Sequence, residues 1–340
     1  MIENYYLRPN FIYSKKKNIY CKYCEILLLD KNKNFVTKDL FHYSEVCKCK
    51  QNYNLFNKYK KIKERLNNIS SNKILFQRFK RKNPLIMGIL NITKDSFFDG
   101  GKYLKFKDAM KKAEELITEG ADIIDVGGES TKPGVSPVDP NEEIRRVMPI
   151  IKELVKNNIK VSCDTRNSST MKKVLDNGIS IINDVSGLNY DKKTPFILKE
   201  FDCLYILTHS KGTPLTMQNN PVYNNVVCDI YSFFKERLLI LKKMKVSKNR
   251  IILDPGIGFG KKDNHNFEIL KNLGIFKDIG LPLLIGLSRK SFIKRFVKEE
   301  NLLNPSIVLA LNAFIKGANI LRVHDVKETI DAINIFNEAS

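Results

Sequence analysis

Met87-Gly88-Ile89-Leu90-Asn91-Ile92-Thr93-Lys94-Asp95-Ser96-Phe97-Phe98-Asp99-Gly100-Gly101 opens as an apolar run and closes as a polar turn. The run from Leu85 to Leu90 has the length of a buried strand. It stops in small and polar residues, then at the Gly100-Gly101 pair. Asn91 therefore falls at the C-terminal end of a strand, with Thr93, Asp95, Ser96 and Asp99 crowded into the loop behind it. Oxygen donors on bendable backbone suit a metal or a phosphorylated ligand. Taken alone, an ordinary strand-to-helix turn would look the same.

Working outward, the same unit repeats. Apolar runs lie at Leu85–Leu90, Asp122–Val126, Ile159–Cys163, Ile179–Ile182, Cys203–Leu207, Ile251–Leu253, Leu283–Gly286 and Ile320–Val323. Between them helical periodicity marks Lys105–Glu119, Asn141–Asn157, Ser168–Asn177, Val226–Lys243, Asn264–Leu273, Ser291–Lys316 (interrupted near Pro305) and Val326–Asn337. Asp139-Pro140 is a helix start signal, and Gly120, Gly178 and Gly317 stand where helices stop. Strands alternating with helices in this number and length predict an α/β (β/α)8 TIM barrel. A doubly wound open sheet is the alternative. In a barrel the residues just past each strand share one rim, where active sites form. Polar groups stand at all of these ends: Asn91, Glu129, Asp164, Asn183, His209, Asp254, Ser288 to Ser291, and Arg322 with His324.

Residues 1–83 have a different character. The chain of 340 residues carries a formal net charge of +21. Residues 1–83 hold 20 Lys+Arg against 6 Asp+Glu, whereas the remainder holds 38 against 31. We read residues 1–83 as a small basic N-terminal extension and 84–340 as the barrel domain. Phe11-Ile12-Tyr13 and Glu25–Leu29 predict strands, and Tyr53 to Asn68 a basic helix. A basic surface can mark nucleic acid, but the Lys/Asn/Ile-rich character of the whole chain points to AT-rich codons, and no nucleic-acid partner is expected. Cys21, Cys24, Cys47 and Cys49 could hold zinc, though the Cys47-Lys48-Cys49 spacing is unusual for it. Seven scattered cysteines fit a reducing cytoplasm. Neither a secretory leader nor a membrane span is expected.

Met87–Gly101, Ile124–Gly134, Ser162–Thr165, Ile181–Asp184, Leu253–Lys261, Ser288–Ser291 and Arg322–Thr329, in this order, resemble the dihydropteroate synthase family of folate biosynthesis. The resemblance implies condensation of (7,8-dihydropterin-6-yl)methyl diphosphate with 4-aminobenzoate, giving 7,8-dihydropteroate and diphosphate. It implies that Asp164, Asn183 and Asp254 grip the pterin edge, and that Lys290 reaches the ring. Asn91 would ligate Mg2+, and Thr131, Arg322, Val323 and His324 would meet the diphosphate substrate. Asp95 would stabilise the cationic carbon, with Lys290 as its catalytic companion. Pro133 and Phe259 would flank the aminobenzoate ring, and Ser291, at a helix start, would bind its carboxylate. A homodimer through the outer helices near strands seven and eight is also implied.

The chain departs from the family pattern at Lys94, Lys132, Ser210 and Leu302–Pro305, which bears on rate and sulfonamide response. The alternatives are a pterin-binding methyltransferase-type barrel and a weakly active paralogue.

Overall fold

The computed structural model describes residues 4–14, 18–43, 53–69, 84–92, 102–130, 134–213, 215–298 and 301–339. Three antiparallel strands come first, β1 (Tyr6–Ser14), β2 (Asn18–Leu29) and β3 (Phe35–His42), then short helices α1 (Tyr53–Lys58) and α2 (Ile62–Ile69). From Leu85 the chain alternates. The order is β4 (Leu85–Asn91), α3 (Lys102–Thr118), β5 (Ile123–Gly127), α4 (Pro140–Lys156), β6 (Val161–Asp164), α5 (Ser168–Leu175), β7 (Ile181–Asp184) and α6 (Thr194–Glu200). It continues with β8 (Leu204–Thr208), α7 (Val226–Lys243), β9 (Ile251–Asp254), α8 (Asp263–Lys271), β10 (Leu284–Gly286), α9 (Leu303–Ile315), β11 (Ile320–Val323) and α10 (Val326–Ala339).

The last strand pairs in parallel with the first of the barrel, Ile320 opposite Leu85. The remaining seam is bridged where Leu253 meets Leu283 and its N–H donates to the Pro282 carbonyl at 2.9 Å. That closure excludes the open doubly wound sheet. Two apolar layers hold it together. Leu85, Met87, Ile123, Ile181, Ile206, Ile252, Leu284 and Ile320 fill the barrel interior. Their outward neighbours, such as Val126, Cys163, Ile182, Leu253 and Val323, pack under the helices. This is the period-2 alternation of a strand with both faces buried. Among the described residues no helix is long and apolar enough to cross a membrane.

Four helical expectations need correction. α6 was not anticipated, because its seven residues carry too few apolar positions for a periodic signal. Ser291 opens a 3₁₀ segment, Ser291–Phe296, and not an α-helix. Pro305 does not break the following helix but sits in its first turn, where its missing N–H has no intrahelical acceptor to lose. The expected helix Tyr53–Asn68 is split, since Lys61 adopts φ +59 between α1 and α2.

The described residues between 4 and 69 fold around a small core of Tyr5, Leu7, Ile26, Ile62, Leu66 and Ile69. They dock on the barrel flank, where Leu27 joins the main core. Arg65 Nε reaches both carboxylate oxygens of the fully buried Asp278 at 2.9 Å, and the Tyr231 hydroxyl donates to the same group at 3.1 Å. Cys21 and Cys24 are buried within this module. No group of three or more metal-ligating side chains occurs among the described residues, and Cys47 and Cys49 lie outside them.

Candidate functional site

Two residues beyond an interior apolar position, four of the strands turn polar on the same inward face. Ile123 is thus followed by Asp125, Ile181 by Asn183, Ile252 by Asp254 and Ile320 by Arg322. The barrel mouth is therefore a layer of carboxylates, an amide and a guanidinium on an apolar floor. Asp164, Asn183, Asp254, Phe259, Lys290 and Arg322 line one cavity there, with Thr208 and Gly286. Val323 does not face this cavity. Its side chain is buried in the layer beneath the helices, because the alternation turns it away from Arg322.

Arg322 organises the floor. Its Nε donates to Asp125 Oδ2 at 2.6 Å and its Nη2 to Asp164 Oδ2 at 2.8 Å. Asn183 Nδ2 donates to the same Asp125 oxygen at 3.0 Å, which leaves the Asn183 carbonyl oxygen as an acceptor. Asp125 was not singled out from the sequence, although a carboxylate inside Ile123-Ile124-Asp125-Val126 was the available signal. Its other oxygen, Oδ1, is buried without a hydrogen-bond partner among the described residues. Burial raises the Asp164 carboxyl to about 7, against the pull of Arg322 and with the push of Asp125. Burial also raises Asp254. Lys290 is drawn down to about 8 by burial and by the Arg322 charge.

The loop after β9 supplies the next wall. Asp254 Oδ1 accepts from the Gly256 N–H at 2.7 Å. Gly256 adopts φ +67, and a Cβ there would collide with the His209 carbonyl, so the loop needs glycine. A second residue that sequence reasoning passed over, Lys261, pins this loop from within. The residue is 3% exposed. It donates to the carbonyls of Gly256 (2.8 Å), Phe259 (3.0 Å) and His209 (3.2 Å), and meets His209 Nδ1 at 3.0 Å. Phe259 is thereby held with its ring 4.3 Å from Lys290 Nζ. Met217 joins Ser210 and Phe259 in the neighbouring wall. A thioether thus stands beside Ser210, supplied from farther along the same loop.

Two anion-directed groups flank the cavity. Ser291 is exposed and lines an adjoining groove with Phe259, Lys290 and Arg295. A six-residue 3₁₀ segment gives it little dipole, so attraction for a carboxylate there rests on the hydroxyl and the neighbouring cations. Ser288 Oγ accepts from the His324 backbone N–H at 3.2 Å and lies 3.0 Å from His324 Nδ1. When the Ser288 hydroxyl donates to Nδ1, the neutral ring carries its proton on Nε2 and can donate it. Burial and Arg322 lower the imidazole to about 4, so it works as a neutral donor at neutral pH. Asn91 is exposed at the end of β4, beside Gly127. Asp95, Thr131 and Pro133, with Lys94, Phe97 and Lys132, lie outside the described residues.

The base of the loop after β5 is fixed rigidly. Glu129 and Arg166 form a buried two-bond pair at 2.9 and 2.7 Å, and Arg146 holds the Gly128 carbonyl at 2.9 Å. A Cβ on Gly128 would meet Val147 Cγ1 at 2.8 Å and Glu143 Cγ at 3.1 Å. Gly128→Ala is therefore expected to destabilise the fold by about 1–3 kcal/mol through overpacking. Urea unfolding checks this, and an unchanged midpoint would show that α4 yields.

Residues 87–324 match the family described as pterin binding enzyme. The dihydropteroate synthase of Neisseria meningitidis serogroup B is 42% identical over 261 residues, spanning 74% of this chain and 92% of that protein. The structure of the Clostridium difficile dihydropteroate synthase with pteroic acid superposes with a TM-score of 0.71 at 38% identity, covering 76% of this chain and 97% of that one. The Xanthomonas albilineans enzyme with 4-aminobenzoic acid gives 0.71 at 35% identity, covering 76% and 93%.

Proposed function

Since this chain belongs to the pterin binding enzyme family, among the dihydropteroate synthases, we propose how its barrel mouth divides the work of the reaction. The protein is a transferase of folate biosynthesis that condenses (7,8-dihydropterin-6-yl)methyl diphosphate with 4-aminobenzoate. The observation that carries the residue assignment is the single cavity shared by Asp164, Asn183, Asp254, Lys290 and Arg322. The donor-rich edge of the pterin faces the two carboxylates and the Asn183 oxygen, and Lys290 reaches the ring. A buried acceptor left unpaired costs about 1–3 kcal/mol, so this edge selects pterins over rings lacking it. Val323 contributes backbone alone.

The methylene carbon loses its bond to the diphosphate oxygen, the aminobenzoate nitrogen bonds to that carbon, and the amine sheds one proton. Arg322 and the His324 Nε2–H stabilise the departing diphosphate, with Thr131. We assign Asp95 to the positive charge that develops on the carbon. Phe259 and Pro133 sandwich the benzene ring, and Ser291 takes its carboxylate. Mg2+ fits this donor set, because Asn91 offers an exposed amide oxygen and the cation keeps several waters while sharing substrate phosphates. When bound it would neutralise charge on the leaving group. The buried free thiols of Cys24, Cys163 and Cys228 support a cytoplasmic setting. Val308 on α9 and Ile335 on α10, both exposed, support a homodimer through these outer helices.

The test supplies purified full-length protein with both substrates and Mg2+, beside an Asp254→Ala control. Diphosphate release coupled to dihydropteroate, lost in the control, is expected. Failure of the wild-type protein to bind the pterin diphosphate in calorimetry would overturn the assignment.

A further inference from the structure

The N-terminal module falls outside the stretch matched by the family, residues 87–324, yet it touches the substrate rim. The turn between β2 and β3 places Lys33 at φ +62, braced by Asp30, which accepts from the Lys33 N–H at 3.0 Å and the Asn34 N–H at 2.8 Å. From this turn Lys33 Nζ donates to Asn224 Oδ1 at 3.0 Å, and the Lys33 carbonyl accepts from Asn225 Nδ2 at 2.8 Å. Asn225 is also the N-cap of α7, its Oδ1 accepting from the N–H groups of Val227 and Cys228 at 3.1 and 3.0 Å. One amide is thus shared, its oxygen holding a barrel helix and its nitrogen holding the module.

The segment just ahead of that cap walls the groove that contains Ser291. Met217, Gln218 and Pro221 line the groove with Phe259. Gln218 Nε2 donates to the Gly258 carbonyl and the Tyr223 hydroxyl to the Gly260 carbonyl, each at 2.7 Å. The groove wall is therefore tied at one side to the β9 loop and at its end to Asn224-Asn225. Behind the cap, the module grips α7 again, with Tyr6 edge-on to Tyr231 at 5.4 Å.

We propose that Lys33 and Asn225 are positioning residues through which the N-terminal module braces the 4-aminobenzoate groove and sets the affinity for that substrate. This rests on the assignment of the Ser291 groove to 4-aminobenzoate. A wall segment with one of its anchors released samples more conformations. Substrate then binds the competent fraction alone, which raises its apparent dissociation constant.

The experiment uses the full chain with Lys33→Gly, Asn225→Asp and both together. Glycine accepts the positive φ. Aspartate keeps the capping oxygen and removes the donor to Lys33. The double variant is expected to raise KM for 4-aminobenzoate about fivefold, from the loss of two net hydrogen bonds. Both kcat and the pterin diphosphate KM should stay within about twofold, a split that a general loss of stability would not produce. An unchanged aminobenzoate KM, or an equal deterioration of every parameter, overturns the brace. If the wild type shows no saturation by 4-aminobenzoate, the groove assignment is what fails, and hydrogen exchange decides the brace by itself. Amides of residues 217–223 should exchange faster in the double variant, and equal protection overturns it.

Discussion

Asp164→Asn is expected to lower kcat/KM by about a thousandfold while leaving the unfolding midpoint close to that of the wild type. The side chain keeps its shape, so packing at this 7% exposed position survives. Arg322 retains its 2.6 Å bond to Asp125. What changes is polarity, because one of two acceptor oxygens becomes an NH2 facing either the guanidinium or the donor edge of the pterin. Sites built to hydrogen-bond a substrate lose about 10⁴–10⁵ when that pairing is denied, and a partial mismatch loses less. The pH profile gives a second readout. With the Asp164 carboxyl near 7 and Lys290 near 8, kcat/KM of the wild type should rise as the acid ionises and fall as the ammonium deprotonates. The variant should lack the rising limb. A variant with full activity and an unaltered profile would remove Asp164 from the site.

Arg322→Met should damage both stability and turnover. The guanidinium bridges two carboxylates, one fully buried, and nothing else among the described residues neutralises them at hydrogen-bond distance. Removing one partner of a buried ion pair typically destabilises by about 3–5 kcal/mol. The loss should depend on pH. A carboxyl whose folded value is raised binds its proton more tightly when folded. Its stabilising contribution is complete below the unfolded value and disappears as pH climbs through the folded one. In the wild type that window closes near 7 for Asp164. Without Arg322 the folded value climbs further, so the deficit should be larger at pH 8 than at pH 5. Urea unfolding at the two pH values measures it, and an equal deficit at both would mean that Arg322 serves packing and not charge. Arg322→Lys should not rescue activity, since one ammonium lacks the fork that spans Asp125 and Asp164.

The barrel was legible in the sequence because each strand is buried on both faces. Eight short apolar runs spaced by helical periods admit few architectures, and the inward polar layer follows from counting two residues past the last interior apolar position of four strands. Asp164, Asn183, Asp254, Lys290 and Arg322 were all readable as strand-end residues on one rim. α6 and the 3₁₀ nature of Ser291–Phe296 were not, because segments of six or seven residues hold too few turns to establish a period.

Local sequence thus determined which residues stand at strand ends and which faces they share, because backbone alternation is a local property. Closure of the ring through Ile320 beside Leu85 was decided by tertiary structure, as a strand's partner is set by the whole sheet. The roles of Asp125, Lys261 and Asn225 were decided there too. Each acts through at least one partner between 52 and 197 residues away, on another element or loop: Asp125 on Arg322, Lys261 on His209, Asn225 on Lys33. A hydrogen bond between distant positions leaves no periodicity in the chain, and it becomes visible when folding brings donor and acceptor within 3 Å of each other.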